Sequence, residues 1–121
     1  MTGLAADERY QRGIALFNDG SYFECHEVLE EVWTHERGAD RLFLQSLIHF
    51  AVAWHHHERG NLDGARRQFR KAVKKLAGYL PRYAGLDTLA LYRNGLAWRD
   101  VLIEGRSITG GATILKCGDS S

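Results

Sequence analysis

His26 lies among Glu24, Glu27, Glu30 and Glu31, all within eight positions of the segment FNDGSYFECHEVLEEVW, residues 17–33. An imidazole beside carboxylates suits two kinds of chemistry, proton transfer near neutral pH and the binding of a divalent metal. If the segment is a helix, 100° per residue puts Tyr22, Cys25, Val28, Leu29, Val32 and Trp33 on one apolar face. His26 then falls just beyond Trp33 with Glu30 about 40° further round, while Glu24, Glu27 and Glu31 look the other way. Further along, Gln45, His49 and His56 form a line at i, i+4 and i+11 on the border of a second apolar face. Should these borders meet, His26, Glu30, Arg41, Gln45, His49 and His56 would form one polar cluster. His26, Glu30, His49 and His56 would then be candidate ligands for zinc, iron, nickel or manganese. Glu27 would be the candidate general base of a metal-dependent enzyme, with Gln45 or Arg41 orienting its substrate. The spacing is neither the HExxH of zinc hydrolases nor the ExxH of di-iron bundles. The competing expectation is structural: His26 and Glu30 as a hydrogen-bonded pair, with Glu30 meeting Arg41 or an arginine further on, because a buried carboxylate needs a partner. In His55-His56-His57, successive side chains point 100° apart, so at most His56 can join such a site.

The elements that must position these groups are helices. Proline occurs once, at Pro81, and three-and-four apolar spacing recurs along the chain. Helix one is expected over 6–18, ended by Asn18-Asp19-Gly20. Ser21 is expected to cap helix two, with Glu24 completing a capping box. Asp40 is expected to cap helix three, whose apolar face covers about 200° and marks it as the central helix. Gly60-Asn61 separates it from helix four, 62–80, and Asp87 caps a last helix to about residue 104, with Gly95 a weak point in its interior. The fold class expected is an all-α, compact bundle of about five helices. Residues 1–105 form its single domain and 106–121 a flexible C-terminal tail.

An internal repeat supports this layout. With an offset of forty, FNDGSYFECHEVLE lies over HERGNLDGARRQFR, matching Gly20 with Gly60, Tyr22 with Leu62, Cys25 with Ala65 and Leu29 with Phe69. Each copy is helix, tight turn, helix. The bundle is therefore expected to rest on two tetratricopeptide-like hairpins plus a C-terminal helix.

The run FNDGSYFECHEVLEEVW, followed by FLQSLIHFAVAWHHHERGNLDGARRQFRKAVKKL, resembles the bacterial, archaeal and plastid family known as domain of unknown function 309. Phe17, Asn18, Gly20, Tyr22, Phe23, Glu24, His26, Glu27, Leu29, Glu30 and Trp33 fall on its first motif, and the resemblance spans about residues 10–90. Ser46 stands where that pattern commonly has glycine, and His49 where it has glutamine. The resemblance implies a helical bundle and no activity.

Charge is divided unevenly along the chain. Residues 1–63 carry a net −6 and residues 64–121 a net +7, within a total of +1, and the two halves are expected to attract each other. The basic surface is concentrated in Arg66, Arg67, Arg70, Lys71, Lys74 and Lys75. Such a stripe suits an acidic protein, a second copy of the chain, or the phosphates of a nucleic acid bound through helix 62–80. Cys25 falls on an apolar face, where a thiol is inert, and no nucleophile elbow or glycine-rich phosphate loop is present, which removes the common hydrolase, kinase and dehydrogenase classes. No window reaches the ~18 unbroken apolar residues of a membrane span. The charged opening MTGLAADERYQRG lacks the apolar core of a signal peptide, so a cytoplasmic location is expected. The functional expectation is a small interaction or scaffold module with a structural His/Glu pair, a metal-dependent enzyme being the alternative.

Overall fold

The computed structural model describes residues 3–117. Met1 and Thr2, which open the expected domain, and residues 118–121, which end the expected tail, lie outside the described residues. Five α-helices follow one another: α1 (Glu8–Asn18), α2 (Tyr22–His35), α3 (Asp40–Glu58), α4 (Leu62–Leu76) and α5 (Thr88–Ile103). Short 3-10 turns precede α1 (Leu4–Ala6) and follow α4 (Ala77–Tyr79). Among the described residues there is no strand, only isolated bridges from Leu86 to Tyr83 and to Lys116. The chain is thus all-α, as its periodicity and near-absence of proline require. Each helix packs on the next in sequence.

The central position of α3 follows from its wide apolar surface. Phe43, Leu44, Leu47, Phe50, Ala51 and Ala53 are all buried, and α2 and α4 lie along its flanks. Its aromatic end is a cluster in which Trp54 meets Tyr22, His57, Phe69 and Trp98 at centroid separations of 5.0–5.8 Å. Gly95, expected as a weak point, is where α5 comes closest. A Cβ there would stand 2.7 Å from Val73 Cγ1 and 2.8 Å from Phe50 Cε1, so the missing side chain is what lets α5 lie down on α3 and α4.

The two turns of the internal repeat have the same backbone. Gly20 and Gly60 adopt φ of 84° and 77°, and Ser21 and Asn61 follow at φ −88°, ψ 66° and φ −85°, ψ 77°. Ser21 N–H donates to Leu16 O and Gly20 N–H to Phe17 O; forty residues on, Asn61 donates to His56 O and Gly60 to His57 O. Both are Schellman closures, which need a left-handed residue and so select glycine.

The expected caps divide. Asp87 accepts from Ala90 N–H as expected. Ser21 makes no side-chain cap, because its hydroxyl turns to Asp19 Oδ2, so the expected capping box does not form. Asp40 lies inside the first turn of α3 and accepts instead from the Tyr83 hydroxyl.

Residues 106–117, expected as a flexible tail, pack back on the bundle. Ile108, Ala112 and Ile114 are buried. Asn18 clasps Ile114 from both sides, its amide donating to Ile114 O at 3.2 Å and its carbonyl accepting from Ile114 N–H at 2.7 Å. Asp87 N–H donates to Leu115 O and Cys117 N–H to Gly85 O. This strap has no helical period, and its apolar residues are spaced along an extended path.

Candidate functional site

On α2, His26 Nε2 lies 3.3 Å from Glu30 Oε1. The i, i+4 spacing alone brings them together; the His26 ring is half-buried and the Glu30 carboxylate is exposed, with side-chain exposures of 24% and 49%. The ring of Phe23 covers His26 at 5.6 Å and reaches His55 of α3 at 5.4 Å. His26 Nδ1 is buried without a hydrogen-bond partner. Arg41, expected to meet Glu30, lies over the Trp33 ring at 4.0 Å and donates to Trp33 O and Glu36 O. It satisfies the open carbonyls at the C-terminus of α2, where a cation is favoured.

The expected row on α3 leans the other way, towards α4. His49 Nδ1 is 2.7 Å from Gln68 Oε1, a geometry that puts the ring proton on Nδ1 and leaves the lone pair of Nε2 buried without a partner. Burial holds the His49 pKa below its usual value; the Gln68 hydrogen bond opposes this, and the charges of Lys75 and Lys71 add to it. His56 Nδ1 approaches Asn61 Nδ2 at 3.4 Å, and burial with neighbouring His55 and Arg67 lowers its pKa too. Gln45 borders a shallow cleft of about 360 Å³ shared with Gly38, Ala39, Arg41, Leu42 and Tyr79. The three consecutive histidines part as their 100° steps require. His55 faces Phe23, His56 the turn before α4, and His57 the strap, where its Nε2 accepts from Ile108 N–H at 3.0 Å.

The expected convergence of His26, Glu30, His49 and His56 therefore does not occur. The α2 flank of α3 holds the first two and the α4 flank the others. Among the described residues no three His, Cys, Asp or Glu side chains are close enough to hold a metal ion. Glu27 stands exposed on the outer face of α2 with no hydrogen-bond or ion-pair partner among the described residues. Cys25 is fully buried, and burial pushes its thiol pKa up to about 12, the inert state expected of it.

The basic surface is real but partly neutralised. Asp63, just before the stripe, pairs with Arg66 at 2.6 Å and Arg67 at 3.2 Å, and these two contacts hold its carboxyl below the usual range. Arg70, Lys71, Lys74 and Lys75 have no acidic partner among the described residues, where every ion pair joins positions no more than four apart. Arg67, Arg70, Lys71 and Lys74 surround a recess of about 220 Å³. The two oppositely charged halves of the chain, expected to attract each other, are joined among the described residues only by the ion pairs of Asp63 with Arg66 and Arg67. α2 and α4 lie on separate flanks of α3, so their charges face outwards.

Two polar contacts between α3 and α4 were not anticipated from sequence. Gln68 as the partner of His49 is one. The other is Ser46, whose buried hydroxyl donates to Ala72 O at 2.9 Å and pins α3 to α4; its place at a position where the resembling family commonly has glycine was the available signal.

Residues 10–68 match the family model described as a domain of unknown function (DUF309). The matched segment runs from within α1 to the middle of α4, and so includes His26, Glu30, His49 and Gln68. Arg70, Lys71, Lys74, Lys75 and the strap lie beyond it. Over 56 residues the chain is 41% identical to the uncharacterized protein YpuF of Bacillus subtilis (strain 168). That stretch is 46% of this chain and 32% of the relative, so the chain spans about a third of that protein's length. Among the described residues no helix is long and apolar enough to cross a membrane.

Proposed function

We propose that the protein is a small helical interaction module whose working surface is the outer face of α2 and α4. The observation that carries this reading is the set of charges left without ion-pair partners among the described residues: Glu27 and Glu31 on α2, and Arg70, Lys71, Lys74 and Lys75 on α4. Exposed charges that do not pair within a molecule steer and select partners more than they stabilise the fold. Phe23 and Leu42, which are 51% and 46% exposed, border the same face and supply apolar area. The His26–Glu30 pair is read as structural, and two unpaired cysteines, Cys25 and Cys117, fit a reducing, cytoplasmic setting.

Acidic protein and nucleic acid make different demands on this surface. We expect the protein to bind a labelled glutamate-rich helical peptide in low salt, and Arg70→Glu/Lys71→Glu/Lys74→Glu to abolish that binding. Duplex DNA tested in parallel should bind weakly or not at all. Binding to DNA that falls with salt at a slope of about −0.9 per phosphate contacted, with no peptide binding, would replace the protein-interaction reading by a nucleic-acid one.

A further inference from the structure

The repeat that conserves the turn and the core inverts the charge. At the offset of forty, Glu27 corresponds to Arg67, Glu30 to Arg70 and Glu31 to Lys71. The buried positions between them stay apolar, Cys25 with Ala65 and Leu29 with Phe69, all at most 1% exposed. Sequence drift from a common pattern would scatter such changes; here three carboxylates meet three cations.

Placement makes the inversion consequential. α2 and α4 pack on opposite flanks of α3 and are joined to it by connections of only a few residues, 36–39 and 59–61. Both therefore run antiparallel to α3 and parallel to each other. Contacts with α3 set the heights: Tyr22 meets Trp54 and Phe23 meets His55 on one side, Asn61 meets His56 and Gln68 meets His49 on the other, so residues forty positions apart on α2 and α4 stand at nearly the same height along α3. Between the helices α3 forms the floor, with Gln45, His49, Val52 and His56 only partly covered.

We propose that this face binds a second copy of the chain in a closed two-fold dimer, the axis running parallel to the helices, between α2 and α4 and above α3. This rests on the reading of the face as a protein-interaction surface, and names its occupant. A half-turn about that axis lays α2 of one copy over α4 of the other without changing height. Glu27 then faces the partner's Arg67, and Glu31 faces the partner's Lys71. Each contact occurs twice, as an isologous interface requires. A two-fold axis lying across the helices would instead set carboxylates on carboxylates and cations on cations, which costs free energy. A face two helices wide and about 20 Å long is small for an interface, so the dimer is weak and salt-sensitive.

The test is charge exchange in the full chain, read by sedimentation velocity at 50 and 500 mM salt. All four residues are exposed, and circular dichroism checks that each variant keeps its helices. Wild type should form a species of twice the chain mass in low salt and dissociate in high salt. Glu27→Arg/Glu31→Lys should be monomeric, and so should Arg67→Glu/Lys71→Glu. An equimolar mixture of these two variants should dimerise, and so should the chain carrying all four changes. A wild type that stays monomeric in low salt overturns the proposal. So does a mass that grows past two copies with concentration, which indicates an open head-to-tail array, or a mixture that fails to associate. If the monomeric wild type still binds the acidic peptide, only the second copy falls and the interaction module stands; if it binds neither, both fall.

Discussion

The first and second hairpins are the same object built twice with different surfaces. Each closes through a Schellman turn with glycine in the left-handed region, and each buries a small residue four positions before a large one, Cys25 and Leu29 in one, Ala65 and Phe69 in the other. They differ where packing does not decide: in cap chemistry, in the sign of the exposed charge, and in what their histidines touch. Core positions are held by volume and exclusion of water, so repeats agree there. Surface positions are free to diverge, and the divergence between α2 and α4 is systematic, which points to function rather than to folding.

The comparison is broken most severely at the large buried residue. Phe69→Ala removes a ring that contacts Phe50, Trp54 and Trp98 and should cost about 3–5 kcal/mol, whereas Leu29→Ala should cost about 2–5 kcal/mol. Urea denaturation of both variants measures the two losses. A larger loss at Leu29 would mean that the first hairpin, not the second, anchors the core.

The caps give a smaller and more selective contrast. Asn61 accepts from Gly64 N–H at 3.0 Å, while Ser21 caps nothing with its side chain. Asn61→Ala should therefore cost about 1 kcal/mol, and Ser21→Ala should leave the thermal midpoint nearly unchanged. Equal losses at both turns would show that Ser21 caps α2 in solution.

The smallest expected effect is one of pH. His49 has a folded pKa below the usual 6.5, so the unfolded chain binds a proton that the folded one resists. Its contribution to stability is complete above about pH 6.5 and declines as pH falls towards the folded value. His49→Gln keeps a neutral polar group against Gln68 and removes that titration. Between pH 7.5 and pH 5, the urea midpoint of the variant should fall less than that of the wild type. An identical fall would place the His49 ring in a site that accepts its charge.

Much of the fold was legible in the sequence because helix periodicity, turn glycines and repeat spacing are local signals. Most helix bounds, the central place of α3, the Asp87 cap and the His26–Glu30 contact followed from residues within a few positions of one another, whereas helix four, expected over 62–80, ends at Leu76 and closes in a 3-10 turn. The candidate cluster was not legible as drawn, because the flank of α3 to which Gln45, His49 and His56 lean depends on where α4 lies. A border position on a helical wheel does not say which neighbour it borders. Ser21 was misread because Asp19 competes for its hydroxyl, and Asp40 because Tyr83, forty-three positions away, takes its carboxylate. Gly95 was read by propensity alone, although its lack of a side chain is demanded by Phe50 and Val73.

The strap formed by residues 106–117 has a kinetic consequence. The hairpins are built from near neighbours in the chain and can zip up from either turn, each closing a short loop at low entropic cost. The strap has no such freedom. Its hydrogen bonds tie Ile114 to Asn18 across 96 positions and Ile108 to His57 across 51, and its seat exists only once the ends of α1 and α3 already lie side by side. Closing the strap therefore carries a larger loop-entropy cost than closing either hairpin, and amide exchange at Ile108 and Ile114 should be faster than in the core of α3.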